Sequence, residues 1–328
     1  MIITKTPVRI SFFSGGSDLP SFFHKEAGAA LSVTIDKYIY VILHSTHNSG
    51  IRLKYDDVEH ANNLDGVKHK ITKETLKYAF GNSQLNGWEI ASVSDVSYNG
   101  CGLGTSSAFT VGLLNGLLKD SKLGPSYLAN EACKIEIVNC NFPIGKQDQY
   151  AAAYGGLNLF EFFSNGTVNV DTPSIDNIEA FEDKLIMFFT GITRDGNSIL
   201  KDQSSSMDDP LKFAQVQRNR DKAFEAQRYL FDNDFDSFGD LLGQSWAEKK
   251  QISKGITAPI LDGIYDIAMD CGALGGKLLG AGGGGFFLFY APTLEIKEKI
   301  TRGLRVISNV KHFPFKFSKE GSKVIYNG

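Results

Sequence analysis

The segment from Tyr98 to Phe109, Y-N-G-C-G-L-G-T-S-S-A-F, constrains this chain more than any other. Its glycines, threonine and serines crowd ahead of the apolar run Ala108-Phe109-Thr110-Val111-Gly112-Leu113-Leu114, which reads as a loop entering a helix. A helix N-terminus leaves backbone N–H groups unpaired and carries partial positive charge, and glycines let a phosphate come close to that backbone. The hydroxyls of Thr105, Ser106 and Ser107 are suited to cap the helix, to bond phosphate oxygens or to hold a metal bound to the phosphates. A glycine turn followed by an ordinary Ser/Thr cap accounts for the segment equally well, so features elsewhere in the chain decide.

At 328 residues the chain exceeds the size at which one core stops growing, and two domains are expected, 1–182 and 183–328, parted by the polar stretch Pro173–Asp183. Hydrophobic content of 42% and charged content of 22% argue against disorder. A net charge of -3 without a basic tail points away from nucleic acid as a partner. Cys101, Cys133, Cys140 and Cys271 show no C-x-x-C spacing, so reduced thiols are the simpler reading. The first nine residues lack the apolar stretch of a signal peptide and no apolar run spans a bilayer, so a cytoplasmic protein with no membrane partner is expected. The sequence carries no signal of oligomeric state.

Strand-like segments Ile2–Ile3, Val8–Phe13 and Val33–Leu43 flank the turn Ser14-Gly15-Gly16-Ser17-Asp18-Leu19-Pro20. Asp18 there reads either as a ligand on a positioned loop or as an Asx-turn. A helix is expected over Thr72–Phe80, a strand over Trp88–Val93, and a second helix over Ser126–Asn139 with Pro125 at its start. Asn141–Gly156 follows, N-F-P-I-G-K-Q-D-Q-Y-A-A-A-Y-G-G, in which Asp148 is either a first-turn acid or a base. A hairpin turning at Asn165-Gly166, a strand over Lys184–Thr190 and helices over 210–231 and 235–250 come next. Arg218 and Arg220 on the first of these helices, and Glu248, Lys249 and Lys250 on the second, read as solvated faces. The glycine cluster Gly275–Gly285, G-G-K-L-L-G-A-G-G-G-G, runs into the strand Phe286–Tyr290 and implies close backbone approach. It is not a Walker loop, because Lys277 is followed by Leu278.

Taken together, the P-x-R segment at Pro7–Arg9, the helix entry G-L-G-T-S-S and the C-terminal G-A-G-G-G-G resemble the three signature motifs of the GHMP small-molecule kinases, over nearly the whole chain. The resemblance implies an α+β, two-domain GHMP kinase fold: a ribosomal protein S5 domain 2-like N-terminal domain that binds ATP, and a ferredoxin-like α/β C-terminal domain completing the cleft. It implies an ATP-dependent kinase using Mg²⁺, with Asp148 and Arg9 catalytic. Gly100, Gly102, Leu103, Gly104, Thr105, Ser106 and Ser107 would cradle the nucleotide phosphates. Aligning on the glycines gives Ser106 and Glu136 as metal ligands, whereas aligning on Ser-Ser-Ala moves the hydroxyl role to Ser107.

Asp18, Gly15, Gly16, Gly282, Gly283 and Gly284 would hold the sugar. Within the family, S-G-G-S-D-L-P, G-K-Q-D-Q-Y and T-G-I-T-R-D are most similar to the branch that phosphorylates the anomeric hydroxyl of D-glycero-D-manno-heptose 7-phosphate. Kinases of fucose or galactose are the alternative, and a catalytically silent sugar- or nucleotide-binding regulator is the alternative of another class. A sugar phosphate would need a cationic pocket, for which Lys146, Arg194 and Lys254 are the candidates.

Overall fold

The computed structural model describes residues 1–47, 49–81, 87–96, 100–119, 123–194, 196–252 and 255–328. Tyr98, which opens the glycine segment, and Lys254 lie outside the described residues. Two long strands carry the first half of the chain. β1 (Ile2–Phe13) and β2 (Gly28–Ser45), rich in Ile, Val, Tyr and Phe, pair antiparallel and are joined by a loop bearing the short helix α1 (Pro20–Phe23). Their register shifts between Pro7 and Arg9. Proline has no N–H for the ladder, and the Arg9 N–H leaves the sheet for Leu103 O at 3.0 Å. The irregularity thereby joins the middle of β1 to the glycine loop.

β3 (Ile51–Lys54) and β4 (Val58–Ala61) form a hairpin at one edge, followed by α2 (Lys70–Phe80) and β5 (Trp88–Ser94). The second of these helices begins ahead of the expected Thr72 because His69 caps it, Nδ1 accepting from Thr72 N at 3.3 Å. α3 (Thr105–Leu117) lies against β1 and β2, with Thr4 Oγ1 donating to Gly112 O at 3.0 Å. α4 (Pro125–Cys133) starts at Pro125 as expected, but the helix does not run unbroken to Asn139: it widens into a π-helical turn over Lys134–Asn139 that carries Glu136. Such turns recur at functional sites. α5 (Gln147–Tyr154) and the hairpin β6 (Leu157–Phe162) and β7 (Val168–Asp171) follow. β2 pairs with β6 over Gly28–Val33 and with β5 over Ile39–Ser45, so the sheet forks along it.

After α6 (Ile178–Glu182) come β8 (Leu185–Phe189), α7 (Gly196–Ser205), α8 (Pro210–Phe231), α9 (Phe235–Lys249) and α10 (Pro259–Asp270). β9 (Gly275–Leu278), β10 (Phe286–Tyr290), α11 (Leu294–Leu304) and β11 (Lys311–His312) then complete an antiparallel sheet in the order β11-β8-β10-β9. The last strand, β12 (Lys323–Asn327), returns to the first sheet beside β1, so the terminal residues build on 1–182 rather than on the second sheet.

Phe238 of α9 meets Phe12 and Phe13 of β1 edge-on at 5.2 and 5.4 Å between ring centroids, and Phe181 joins them at 4.7 Å from Phe238. These buried rings tie α9 to β1 and so fix the spacing of the two halves of the cleft described below. No helix among the described residues is long and apolar enough to cross a membrane.

Candidate active site

A cleft of about 550 Å³ opens between the two halves. Arg9 on β1 is its central side chain. Its Nε donates to Asp148 Oδ1 at 2.8 Å and its Nη2 to Oδ2 at 2.7 Å, a bidentate pair, while Nη1 donates to Gly102 O at 2.7 Å. Arg9 is 7% exposed and Asp148 28%, so the carboxylate is held from behind and open in front. Asp148 stands in the first turn of α5. Gly104, at φ +74°, precedes α3 in the left-handed region, and a Cβ there would lie 3.1 Å from Asp148 Oδ2. Any larger residue would therefore crowd the carboxylate as well as strain the backbone.

Asp18 does not close an Asx-turn on its own loop. Its Oδ1 accepts from Ser14 Oγ at 2.8 Å and its Oδ2 from Gln147 N at 3.3 Å, across the cleft floor. Burial and the negative charge of Asp148 raise its pKa above the ordinary carboxylate value. Gly15 and Gly16 line the cleft beside it.

Gly100, Gly102, Gly104, Thr105 and Ser106 also line the cleft. Leu103 is buried, contributing its carbonyl to Arg9 N. Ser106 is exposed, whereas Ser107 turns beneath the helix towards Glu136. Glu136 is fully buried, and its Oε2 accepts from Gln149 Nε2 at 2.6 Å. The Ser107 and Thr110 hydroxyls lie near enough to favour its ionised form, yet Oε1 makes no well-formed hydrogen bond, and burial pushes the pKa up to about 7. A carboxylate oxygen without a well-formed hydrogen bond beside the Ser107 and Thr110 hydroxyls fits a hard divalent cation whose remaining ligands are water and phosphate oxygens.

Four of the expected substrate residues sit away from the cleft lining, and a fifth, Arg194, lies at its rim. Gly282, Gly283 and Gly284 are buried and face Ile256, Arg194 and Ile192 rather than the cleft. Gly280 and Ala281 line it instead, and Gly280 abuts Gly102, so the run of glycines serves close packing of one loop on another. Lys146 is turned out of the cleft: its Nζ donates to Gly166 O at 2.8 Å and lies 5.0 Å over the Phe23 ring. Arg194 is exposed at the cleft rim, its Nη1 donating to Gly255 O at 3.3 Å.

Two lysines enter the cleft that the sequence reading did not place there. Lys249, the last residue of α9, is no solvated face: it is half-buried and its Nζ donates to Gly280 O. Burial and nearby Arg9 lower its pKa to about 8, against the opposing pull of Asp18. Lys277 on β9 is buried, with Nζ donating to Phe12 O at 2.5 Å. Burial, then Lys249 and Arg9, lower its pKa well below the ordinary lysine value. A lysine in a final helical turn is ordinary dipole chemistry and gives no local signal. Lys277 did give one, being a charge inside a strand of glycines and leucines.

Residues 68–156 match the family model of the GHMP kinases N terminal domain, and residues 223–305 that of the GHMP kinases C terminal. Over 341 aligned positions, covering 98% of each protein, the sequence is 31% identical to the D-glycero-alpha-D-manno-heptose 7-phosphate kinase of Campylobacter jejuni subsp. jejuni serotype O:2.

The chain belongs to the GHMP kinase family.

Among solved structures, a D-glycero-D-manno-heptose 1-phosphate kinase from Bacteroides thetaiotaomicron matches the whole of this chain with the whole of its own, at a TM-score of 0.79 and 25% identity. The L-fucokinase/L-fucose-1-P guanylyltransferase of Bacteroides fragilis is 25% identical over 91% of this chain and 35% of its own length. This GHMP chain is accordingly a sugar kinase, of a family that takes ATP as phosphate donor, typically with Mg²⁺. The N-terminal match contains the 100–107 loop, Glu136 and Asp148, and the C-terminal match contains Lys249, Lys277 and Gly280. Arg9 and Asp18 precede both.

Proposed function

We propose that this GHMP kinase transfers the γ-phosphoryl group of ATP to the anomeric hydroxyl of D-glycero-D-manno-heptose 7-phosphate, giving the 1,7-bisphosphate for nucleotide-heptose and surface glycan synthesis. The observation that carries the reading is the Arg9–Asp148 pair, which joins the glycine loop through Gly102 O to the open carboxylate. Each Asp148 oxygen keeps a lone pair beyond its bond to Arg9, so the acceptor hydroxyl can donate to it. In the reaction the hydroxyl oxygen bonds to the γ-phosphorus, the bond from that phosphorus to the β,γ-bridging oxygen breaks, and the hydroxyl proton passes to Asp148. Arg9 fixes the orientation of the Asp148 carboxylate, and an anomeric hydroxyl gives up its proton more readily than an ordinary alcohol. Arg9 also offers its charge to the transferring group.

Asp18 orients the sugar hydroxyls, and the backbone of 100–106 at the start of α3 receives the phosphates. Bound Mg²⁺ would neutralise phosphate charge, with Glu136 and Ser106, which faces the cleft, as its holders and Ser107 as the competing hydroxyl.

Asp148→Ala should lose turnover by about 10²–10⁴-fold while still binding nucleotide. An unchanged kcat in that variant sinks the assignment. Incubating the enzyme with ATP, Mg²⁺ and a panel of heptose 7-phosphate, heptose, fucose and galactose, and locating the new phosphate by NMR, tests the substrate. Phosphorylation of fucose alone would move the chain to the fucokinase reading, and the absence of ADP release with every sugar would move it to a silent regulator.

A further inference from the structure

Among the described residues four cations line the cleft, Arg9, Lys249, Lys277 and, at its exposed rim, Arg194, and of the three inner ones Arg9 alone has a carboxylate for a partner. Lys249 Nζ is bonded to the carbonyl of Gly280 and Lys277 Nζ to that of Phe12. A carbonyl satisfies one ammonium proton without balancing its charge, and charge removed from water without a counterion is costly. Both ammonium groups line the cleft, so their remaining N–H bonds can meet an anion there.

The two lysines belong to the acceptor end of the cleft. They arise from α9 and β9 of the second half and line the cleft with Ser14 and Asp18, and Lys277 Nζ is held by Phe12 O, two residues before the Ser14 that bonds Asp18. In the proposed reaction the donor's phosphates are received by the 100–106 backbone at the start of α3. Of the cations first expected to receive a phosphate on the sugar, Lys146 is bonded to Gly166 O outside the cleft, and Arg194 lies at the exposed rim, where its Nη1 donates to Gly255 O.

We propose that Lys249 and Lys277 together form the receptor for the phosphate that the sugar already carries, and so set the preference for a phosphorylated over an unphosphorylated acceptor. This rests on the reading of the acceptor as a sugar phosphate. The phosphate dianion takes the free N–H bonds of both ammonium groups, which replace the water it leaves. They are specificity residues, distinct from the Arg9–Asp148 pair that meets the reacting hydroxyl.

Two measurements on the full-length enzyme test it. In the first, kcat/KM is compared for heptose 7-phosphate and for the same heptose without phosphate, in the wild type, Lys249→Met, Lys249→Arg and Lys277→Met. Removing one partner of a desolvated charge pair should lower kcat/KM for the phosphorylated sugar by at least about 30-fold, mostly through KM, with the unphosphorylated sugar changed by less than about threefold. Lys249→Arg should recover part of the loss. Equal losses on both sugars would show that the lysines serve the transferred group or the fold, and no loss would show that they serve neither; either result overturns the proposal.

In the second, enzyme saturated with Mg²⁺ and a non-hydrolysable ATP analogue, so that the donor end is filled, is titrated with inorganic phosphate by calorimetry. One phosphate should bind the wild type and none should bind Lys249→Met or Lys277→Met. Binding that survives both substitutions overturns the proposal, as does no binding to the wild type. If the wild type binds phosphate through these lysines yet shows no preference for the phosphorylated sugar, the anion site stands and the assignment of heptose 7-phosphate falls.

Discussion

The two ends into which the proposed reaction divides the cleft are built from different material. The donor end is backbone: Gly100, Gly102 and Gly104 bring main-chain atoms to the surface ahead of α3. The acceptor end is side chain: Asp18, Asp148, Lys249 and Lys277 converge from a loop, the start of α5, the end of α9 and a strand of the second sheet. Backbone sites need consecutive residues of one kind and so announce themselves in a sequence. A side-chain site needs single residues from distant elements, and its members look ordinary one at a time. Arg9 is the exception that belongs to both ends, bonded to Gly102 O on one side and Asp148 on the other.

The largest effect is therefore expected at Arg9. Arg9→Met removes both bonds to a partly buried carboxylate and leaves Gly102 O without its donor. Breaking a buried pair from one side costs about 3–5 kcal/mol, or roughly 10²–10⁴ in kcat/KM if it is felt in the transition state. Arg9→Lys keeps the charge and loses the fork, so it should recover little. A value within tenfold of wild type for Arg9→Met would show that the two ends work independently and would break the comparison.

Glu136 sharpens the donor end, where it is the buried charge beneath the backbone. Its folded pKa of about 7 lies above the ordinary 4.5, so it favours folding below that value and loses this contribution as pH rises from 4.5 through 7. At about 1.4 kcal/mol for each pH unit, the difference amounts to about 3 kcal/mol between pH 4 and pH 8. Denaturant midpoints of the ligand-free enzyme across that range should show this downward contribution, and Glu136→Gln should remove it. A pH profile identical in the variant would mean that Glu136 is not desolvated as described.

How much was legible follows the same divide. β1, β2, the helices at 210–231 and 235–249 and the hairpin at Asn165-Gly166 are written in local periodicity and turn chemistry, and the structure has them where the sequence indicates. The return of β12 to β1 joins residues at opposite ends of the chain, and no local pattern carries such a pairing. In the site, Arg9, Asp18, Asp148 and the 100–106 loop converge from motifs that the sequence displays. Glycine signals close approach but not to what, which is why Gly282–Gly284 read as sugar contacts and are instead packed on Ile256, Arg194 and Ile192. Lys249 failed differently, because a lysine ending an amphipathic helix is the commonest of surface features.

The glycine contact between the two loops comes next in size. Gly102 sits at φ +79°, and a Cβ there would lie 2.5 Å from Leu279 O. Gly102→Ala should therefore cost about 1–3 kcal/mol in strain, seen as a KM for ATP raised by roughly ten- to a hundredfold with the KM for sugar little changed. A larger rise for the sugar would mean that the loop shapes the acceptor end as well.

The smallest effect is expected at Lys146, and it bears directly on which cations the acceptor meets. Lys146 is only two positions from Asp148, and a cation so near the carboxylate proposed to take the acceptor's proton invites a role in binding. Its Nζ, however, is bonded to Gly166 O at 2.8 Å and rests over Phe23, where it ties α5 to the β6–β7 turn. Lys146→Ala should lower stability by about 0.5–1.5 kcal/mol, a fall of a few degrees in Tm, and leave kcat/KM for heptose 7-phosphate within about threefold. If it instead lost as much as Lys249→Met, Lys146 would have to leave Gly166 during turnover and swing into the cleft. The acceptor's phosphate would then lie at the start of α5, beside the reacting carboxylate, where its repulsion of Asp148 would oppose the reaction that Arg9 is arranged to help.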